Sequence, residues 1–528
     1  MLSPHLLSFL LFAPLLGAFA IFMRPEKEAR LIAIASSFVM LAFSAILVSH
    51  FNEASAAMQF SDRMTWFTAP FPVEYCVGVD GMGLCLVVLT SVVTLLSVYA
   101  SEKVGETRSK LYYSLVMLLT FALMGVFTSM NLLQFFVLYE FELVPMYFLI
   151  AIWGGARRDY AAMKFLLYTF LGGIFMLAGI LILYFRLAAE GPNMATFDMA
   201  TLATNTLSLS LAAQLPAFLC FFLAFIIKLP SFPFHTWLPD AHVEAPTPIS
   251  MILAGLLLKM GSYGLVRICV PYFPSVFLEF GGWIMALGAF NIVWAAMACL
   301  VQTDMKRIIA FSSVSHMGFV LLGIGCLTSA GISGAIFQMI SHGIISAALF
   351  FLVGAVYERT HTRQLGEIGG GLAKAMPIFF YFWMFCALAN LGLPGLSGFV
   401  AEVAVFYGSY TSWMAQASPL AGFVKPWIWL AATGVILTAG YMLWLLKRLF
   451  YGPMLAKWEG HLSDARPLEQ WLAYSMCAMI LALGICPWLL TRYYGVMADN
   501  TAAVLSSRIP TQMPMPIGYL PRARDVVE

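Results

Sequence analysis

The sequence predicts an all-α polytopic membrane protein of about fourteen transmembrane helices. Three observations carry that expectation. Charged residues fill 10% of the 528 positions and apolar residues 61%, where a soluble domain carries about 25% charge. Mean hydropathy is +0.88. The apolar stretches are long and continuous, near the roughly 20 residues a helix needs to cross the hydrocarbon core, whereas a transmembrane barrel would alternate. Together these exclude a soluble enzyme, a disordered chain and a disulfide scaffold. The net charge of +2, with no basic run, gives no footing to nucleic acid.

The elements follow in order. The chain opens on an apolar stretch, 2–22, without a small-residue cleavage site after it, so it reads as a retained helix. Spans 29–51, 79–100, 111–128 and 131–151 follow, then 160–186, 211–234 and 247–270. Pro230 and Pro233 forbid regular helix at the end of 211–234, because proline lacks the backbone N–H. Spans 276–300, 306–326 and 331–355 are uninterrupted. Span 374–411 is too long for one straight crossing, and "LGLPGLSG" at 391–398 breaks it midway. Spans 425–449 and 468–492 complete the set. From about 500 onward, Pro and charge predict a flexible or surface-lying extension.

Orientation follows from the cations. With the N-terminus outside, the inside loops hold 18 Lys and Arg and the outside positions five, with Arg508, Arg522 and Arg524 further out on the tail. That bias puts both termini outside. Two Leu-Pro interruptions, "KLPSFP" at 228–233 and "GLPGLSGF" at 392–399, lie 164 residues apart with five spans between them. An odd number of spans inverts orientation, so the layout reads as two inverted five-helix repeats, each with one broken helix. The expected organisation is N-terminal helices over 1–110, a first repeat over 111–270, a second, inverted repeat over 276–450, and a last helix with tail over 451–528.

The nine cysteines are scattered, no two closer than nine residues. That leaves no C-x-x-C, iron–sulfur or zinc-knuckle spacing. Gly369-Gly370-Gly371 follows a charged loop rather than a strand and reads as a hinge. No cofactor is expected in this chain, and no soluble substrate bound directly.

The candidate chemistry lies in the intramembrane charges. Glu140, Lys228, Lys259 and Glu402 fall inside apolar spans, with Glu142 and Asp80 in or near them. Four charges at helix centres cost on the order of 10–14 kcal/mol, at about 2.5–3.5 kcal/mol each. Structural ion pairs within the bundle are the bland explanation; a proton or ion relay is the sharper one. Glu140 and Glu142 point about 200° apart on a helix, so one faces the interior and the other a neighbouring partner or subunit. Pro145 weakens the helix one turn later. Lys228 precedes the first broken helix, and Lys259 sits among Gly255, Gly261 and Gly264, which permit close helix contact. His316 and His342 lie in successive spans, with Ser312, Ser313, Ser315 and Ser341 as nearby hydroxyls. Each histidine alone is as readily a satisfied core residue; together they read as part of a relay. A zinc site from His235 and His242 is disfavoured, since their spacing matches no ligand pattern.

The stretches "FELVPMYFLIAIWGG", "KLPSFPFHTWLPDAHVEAPTPISMILAGLLLKMGSYGLVR", "RIIAFSSVSHMGFV", "QMISHGIISAALFFLVGAVYERTHTR" and "NLGLPGLSGFVAE" resemble the antiporter-like subunits of respiratory complex I. The likeness covers about residues 75–460. Glu at 402 is similar to the M branch, since the L branch carries Lys there and adds a long lateral helix absent here. The resemblance implies a proton relay of Glu140, Lys228, Lys259, His316, His342 and Glu402, with Glu140 and Lys228 as a switching ion pair. It also implies partners among the other membrane subunits, including the L and N chains and small helical subunits. The chain would then be a proton-translocating membrane-arm subunit of an NADH (or ferredoxin):quinone oxidoreductase, embedded in a bacterial cytoplasmic or a thylakoid membrane. Rival readings are a subunit of a multi-chain sodium/proton antiporter, the membrane arm of a hydrogenase, and a spacer that moves nothing.

Overall fold

A computed structural model describes residues 5–67, 73–191, 194–416, 418 and 421–506. Among the described residues, thirteen helices are long and apolar enough to cross a membrane. A fourteenth crossing is the broken pair Pro377–Asn390 and Ser397–Thr411. Leu6–Met23 and Ala29–His50 open the chain, and Gly81–Ala100 and Ser109–Thr128 follow. Then come the interrupted helix Leu132–Phe141 and Leu143–Trp153, and the long Arg158–Glu190. The first expected break is present: Leu211–Lys228 ends, residues 229–236 turn, and Trp237–Glu244 resumes. Thr247–Tyr272, Pro274–Leu300, Met305–Gly325, Ser329–Thr360, Ala421–Phe450 and Pro467–Ile485 complete the bundle.

Burial grades from centre to rim. Thr247–Tyr272 and Ser329–Thr360 are buried along their whole apolar windows, and Met305–Gly325 nearly so, while Glu26–His50 and Pro467–Ile485 are mostly open. The relay candidates on these three central helices therefore lie where neither lipid nor bulk water reaches.

The breaks stay viable because their backbone groups find partners, as membrane depth demands. The Trp237 indole donates to the Ile227 carbonyl at 2.9 Å. Phe232 N–H donates to Asn291 Oδ1 at 3.0 Å, and Asn291 Nδ2 donates to the Val314 carbonyl at 3.0 Å. In the second break, Gly392 has φ +77° and Gly395 φ +93°, a left-handed turn that favours glycine.

Thr247–Tyr272 carries two π-helical segments, Leu253–Leu257 and Leu265–Cys269, which bracket Lys259. Such wide turns recur at functional positions. Near its outer end, Arg267 pairs with Asp80 at 2.6 Å, and Asp80 also accepts from Gly83 N at 2.9 Å as the cap of Gly81–Ala100. Asp80 is thus a structural ion pair.

Contacts between loops sort into two faces. On one, Arg30 meets Glu102, Lys103 meets Glu358, and Arg359 meets Glu469. On the other, His5 meets Asp62, Arg63 meets Asp198, and Arg492 meets Glu53. The first is the cation-rich face expected inside.

Two elements were not foreseen. An antiparallel hairpin, Gln59–Phe67 with Val73–Val79, sits on the outer face. Its second strand is anchored by Gln134, which accepts from Cys76 N at 2.9 Å. The second is helix Trp488–Ser506, so residues 500–506 are helical where an extension was expected. The rest of that expected tail, 507–528, lies outside the described residues.

Candidate relay of buried charges between two broken helices

Lys228 is the last residue of its half-helix and points its Nζ at Glu142 Oε1. Both side chains are essentially inaccessible, at 1% and 0%. The Tyr139 and Phe165 rings lie 5.3 and 5.5 Å from Nζ, where an aromatic face attracts a cation. The direct contact of Lys228 is therefore with Glu142 rather than with the expected Glu140, although Glu140 stays close enough to interact electrostatically with Lys228. The helix is interrupted at Glu142, between Leu132–Phe141 and Leu143–Trp153. Pro145 has no N–H for the Phe141 carbonyl, which frees the chain to bend there. Glu142 then faces the interior. Glu140 turns instead to Arg158–Glu190, where its carboxylate packs on Gly173 and Oε1 has no hydrogen-bond partner. The two carboxylates do point apart, with their roles exchanged.

Lys259 Nζ donates to the Ala254 carbonyl at 2.5 Å and lies 2.8 Å from His342 Nδ1. With Lys259 as an ammonium, which only donates, Nδ1 accepts and the ring proton sits on Nε2. That nitrogen is buried and has no partner. The His342 and His316 rings are 5.6 Å apart between centroids. His316 Nε2 lies 3.1 Å from Asn390 Oδ1, and Nδ1 lies 3.1 Å from Gln338 Nε2. Glu402 Oε1 is 4.0 Å from His316 Nδ1. The Glu402 carboxylate rests against Gly392 in the second break, where a Cβ would strike it. Ser341 donates to Ser397 at 2.8 Å, tying the central helix to the same break.

Lys259, His342, His316 and Glu402 thus form one contiguous buried line ending at the second broken helix. Lys228 and Glu142 form a separate pair beside the first. Among the described residues, no hydrogen bond or ion pair joins Lys228 to Lys259. Each separation in the line is within reach of one side-chain movement or one water, which is the requirement for a proton relay.

Gln338 and Asn390 escaped the sequence reading, and His242 and Lys306 carried no relay role in it. Gln338 lies one helical turn before His342 and shares its face, a signal the sequence did offer. Asn390 is adjacent to the second break but contacts His316 only through the tertiary fold. His242 is fully buried with both ring nitrogens unpartnered and stacks on Phe350 at 4.3 Å. Lys306 is 5% exposed and donates to the Ala245 carbonyl at 2.5 Å. Near it, on the cation-rich face, lies a cavity of about 360 Å³ lined by Glu102, Lys103, Glu244, Lys306, Glu358 and Arg466. Among the described residues, no group of three or more His, Cys, Asp and Glu could hold a metal ion.

Comparison with known proteins agrees with this architecture. The family model for the transmembrane region of NADH:quinone oxidoreductase/Mrp antiporter proteins matches residues 129–426. NAD(P)H-quinone oxidoreductase chain 4 1 of Synechococcus elongatus is 43% identical over 501 residues, covering 94% of this chain and 91% of that one. The corresponding protein of Synechococcus sp. strain JA-3-3Ab is 44% identical over 96% of this chain and 94% of that one. A chain of respiratory complex I from Thermus thermophilus superposes with a TM-score of 0.83 at 27% identity, covering 94% of this chain and 99% of that one. A chain of the Mrp complex from Dietzia sp. DQ12-45-1b has the same fold, with a TM-score of 0.80 at 21% identity over 95% and 98% of the two chains. With two helices broken at buried charges and relatives matched almost end to end, this chain belongs to the NADH:quinone oxidoreductase/Mrp antiporter family of membrane subunits.

Proposed function

We propose that protons cross the membrane through this chain along Lys228, Lys259, His342, His316 and Glu402, with Glu142 as the counter-charge of Lys228. The chain is a multi-pass membrane-arm subunit of a proton-translocating quinone oxidoreductase of the complex I type. Quinone reduction occurs in other subunits and supplies the free energy. Opening the Lys228–Glu142 pair strands an ammonium in a low-dielectric interior, at a cost of several kcal/mol. That cost drives the proton off Lys228 and onward, and re-pairing resets the site. Glu140, at Gly173 on the half-open helix Arg158–Glu190, is the carboxylate through which a neighbouring membrane subunit would sense the pair. The relay binds no cofactor, and the electron donor, NADH or ferredoxin, docks elsewhere.

The observation that carries this reading is the contiguous line from Lys259 to Glu402 on three buried helices, closed by a broken helix. Residues 111–270 and 276–450 serve as the two inverted functional halves, with 1–110 and 451–528 flanking them. The test is Lys259→Ala in membranes carrying the assembled complex, with quinone reduction and proton uptake measured together. Both should fall in step. Normal reduction with normal pumping would favour a spacer that moves nothing.

A further inference from the structure

We infer that Gln338 and Asn390 fix where His316 carries its proton, and that turning over the Gln338 amide opens the step between His316 and Glu402. The inference rests on the relay reading above. It makes Gln338 and Asn390 positioning residues for the transfer.

The His316 ring is held between two neutral amides. Nε2 donates to Asn390 Oδ1 at 3.1 Å, and Nδ1 accepts from Gln338 Nε2 at 3.1 Å. The ring is therefore neutral, with its proton on Nε2. Glu402 Oε1 approaches the other nitrogen, Nδ1, at 4.0 Å. That distance is too long for a direct hydrogen bond, and the Nδ1 lone pair is already occupied. An amide N–H donates but does not hand its proton on, so this arrangement is closed to transfer.

The two amides are not equally fixed. Asn390 Nδ2 also donates to the Tyr441 hydroxyl at 3.4 Å, so rotating it would lose two contacts. Gln338 is 2% exposed, and its Oε1 is buried with no hydrogen-bond partner. A buried orphan acceptor is unfavourable and calls for an explanation. It has a use when His316 is doubly protonated. The Nδ1–H then needs an acceptor, and a half-turn of the Gln338 amide brings Oε1 to the place now held by Nε2. The imidazolium would sit between two amide oxygens with Nδ1–H beside Glu402. A rotation of the Glu402 carboxylate toward the ring, or one water, then closes the 4.0 Å gap; the proton leaves Nδ1 for Glu402 Oε1, the ring returns to its neutral Nε2–H form, and the amide turns back. One proton moves, and no electron or heavy atom does. Gln338 shares its helix face with His342, so one helix carries both the residue that delivers the proton and the one that gates it.

The test compares Gln338→Met, Gln338→Glu and Lys259→Ala in assembled complex. Gln338→Met keeps length and volume but has neither amide end. Quinone reduction and proton uptake should fall roughly tenfold, the value of about one hydrogen bond to a charged ring. Gln338→Glu keeps the shape but, ionised, only accepts, so it should draw the His316 proton onto Nδ1 and change the ring signal while losing less turnover than Gln338→Met. Infrared difference spectra with isotope-labelled histidine, blanked against His316→Phe, read the ring itself. The Nε2–H signal should give way to mixed tautomers in Gln338→Met. Wild-type turnover in Gln338→Met, or an unchanged ring signal, overturns the gate. If Gln338→Met fails to assemble, Gln338→Glu decides: an unchanged His316 signal there overturns it equally. If Lys259→Ala stalls while Gln338→Met is normal, only the gate fails; if Lys259→Ala pumps normally, the relay fails and the gate with it.

Discussion

Lys228 Nζ is bound to Glu142 Oε1, and Glu140, two residues earlier on the same span, points instead at Gly173. That relationship decides which carboxylate substitution is severe. Glu142→Ala leaves Lys228 buried and unpaired, a loss of about 3–5 kcal/mol, or more than a hundredfold at about 1.4 kcal/mol per tenfold. Glu142→Asp keeps the charge with one methylene less reach and should retain partial turnover. Glu142→Gln combined with Lys228→Met should restore assembly without restoring pumping, since an apolar isostere replaces a buried pair at little cost. Quinone reduction and proton uptake in inverted membranes measure all three. Assembly as poor as in the single Glu142→Gln variant would count against the pair.

Gly173 and Glu140 should be coupled. A Cβ at position 173 collides with the Glu140 carboxylate, so Gly173→Ala should destabilise the subunit by about 1–3 kcal/mol. Glu140→Ala empties that space, and the double variant should recover most of the loss. Thermal denaturation of the purified complex would show the non-additivity; strictly additive shifts would mean the two do not touch.

The cation-rich face should be cytoplasmic. Ser463→Cys lies in an exposed loop on that face, and Ala54→Cys in an exposed loop on the other. A membrane-impermeant maleimide should label Ser463→Cys only from the cytoplasmic side and Ala54→Cys only from the opposite side. Reversed labelling would invert the topology.

The outer hairpin should loosen in acid. Burial opposes ionisation of Asp62, but hydrogen bonds from Ser8 and His5 outweigh it and hold the carboxyl below its ordinary value of 3.8. A carboxyl lowered in the folded state stabilises it above the unfolded value, and that contribution is lost as pH falls through the folded one. Protection of the Gln59–Phe67 amides, taken relative to their intrinsic exchange rates, should therefore fall below about pH 4, and Asp62→Asn should remove that fall while leaving protection lower throughout.

Much of this protein is legible in the chain. Apolar length gives the crossings, because a helix must hide its backbone for the whole hydrocarbon thickness. Pro230, Pro233 and Pro394 locate the breaks, because proline cannot continue the hydrogen-bond ladder. The rarity of charge within the spans singles out Lys228, Lys259 and Glu402. These are local properties, and the structure places all of them within a few residues of expectation. The hairpin was missed because its short strands carry no long periodic signal and are held by Gln134 from another element.

What only the tertiary structure decided is which charge meets which. The sequence can say that Glu140 and Glu142 diverge on a helix; it cannot say which one the bend at Glu142 turns inward, because that depends on where Arg158–Glu190 and Leu211–Lys228 pack. The joining of His316 to Asn390, 74 residues away, and of Lys259 to His342, 83 residues away, has the same origin. Side-chain pairing in a bundle is set by helix rotation and separation to within an ångström or two, and those are summed over every contact in the core rather than encoded at any one position.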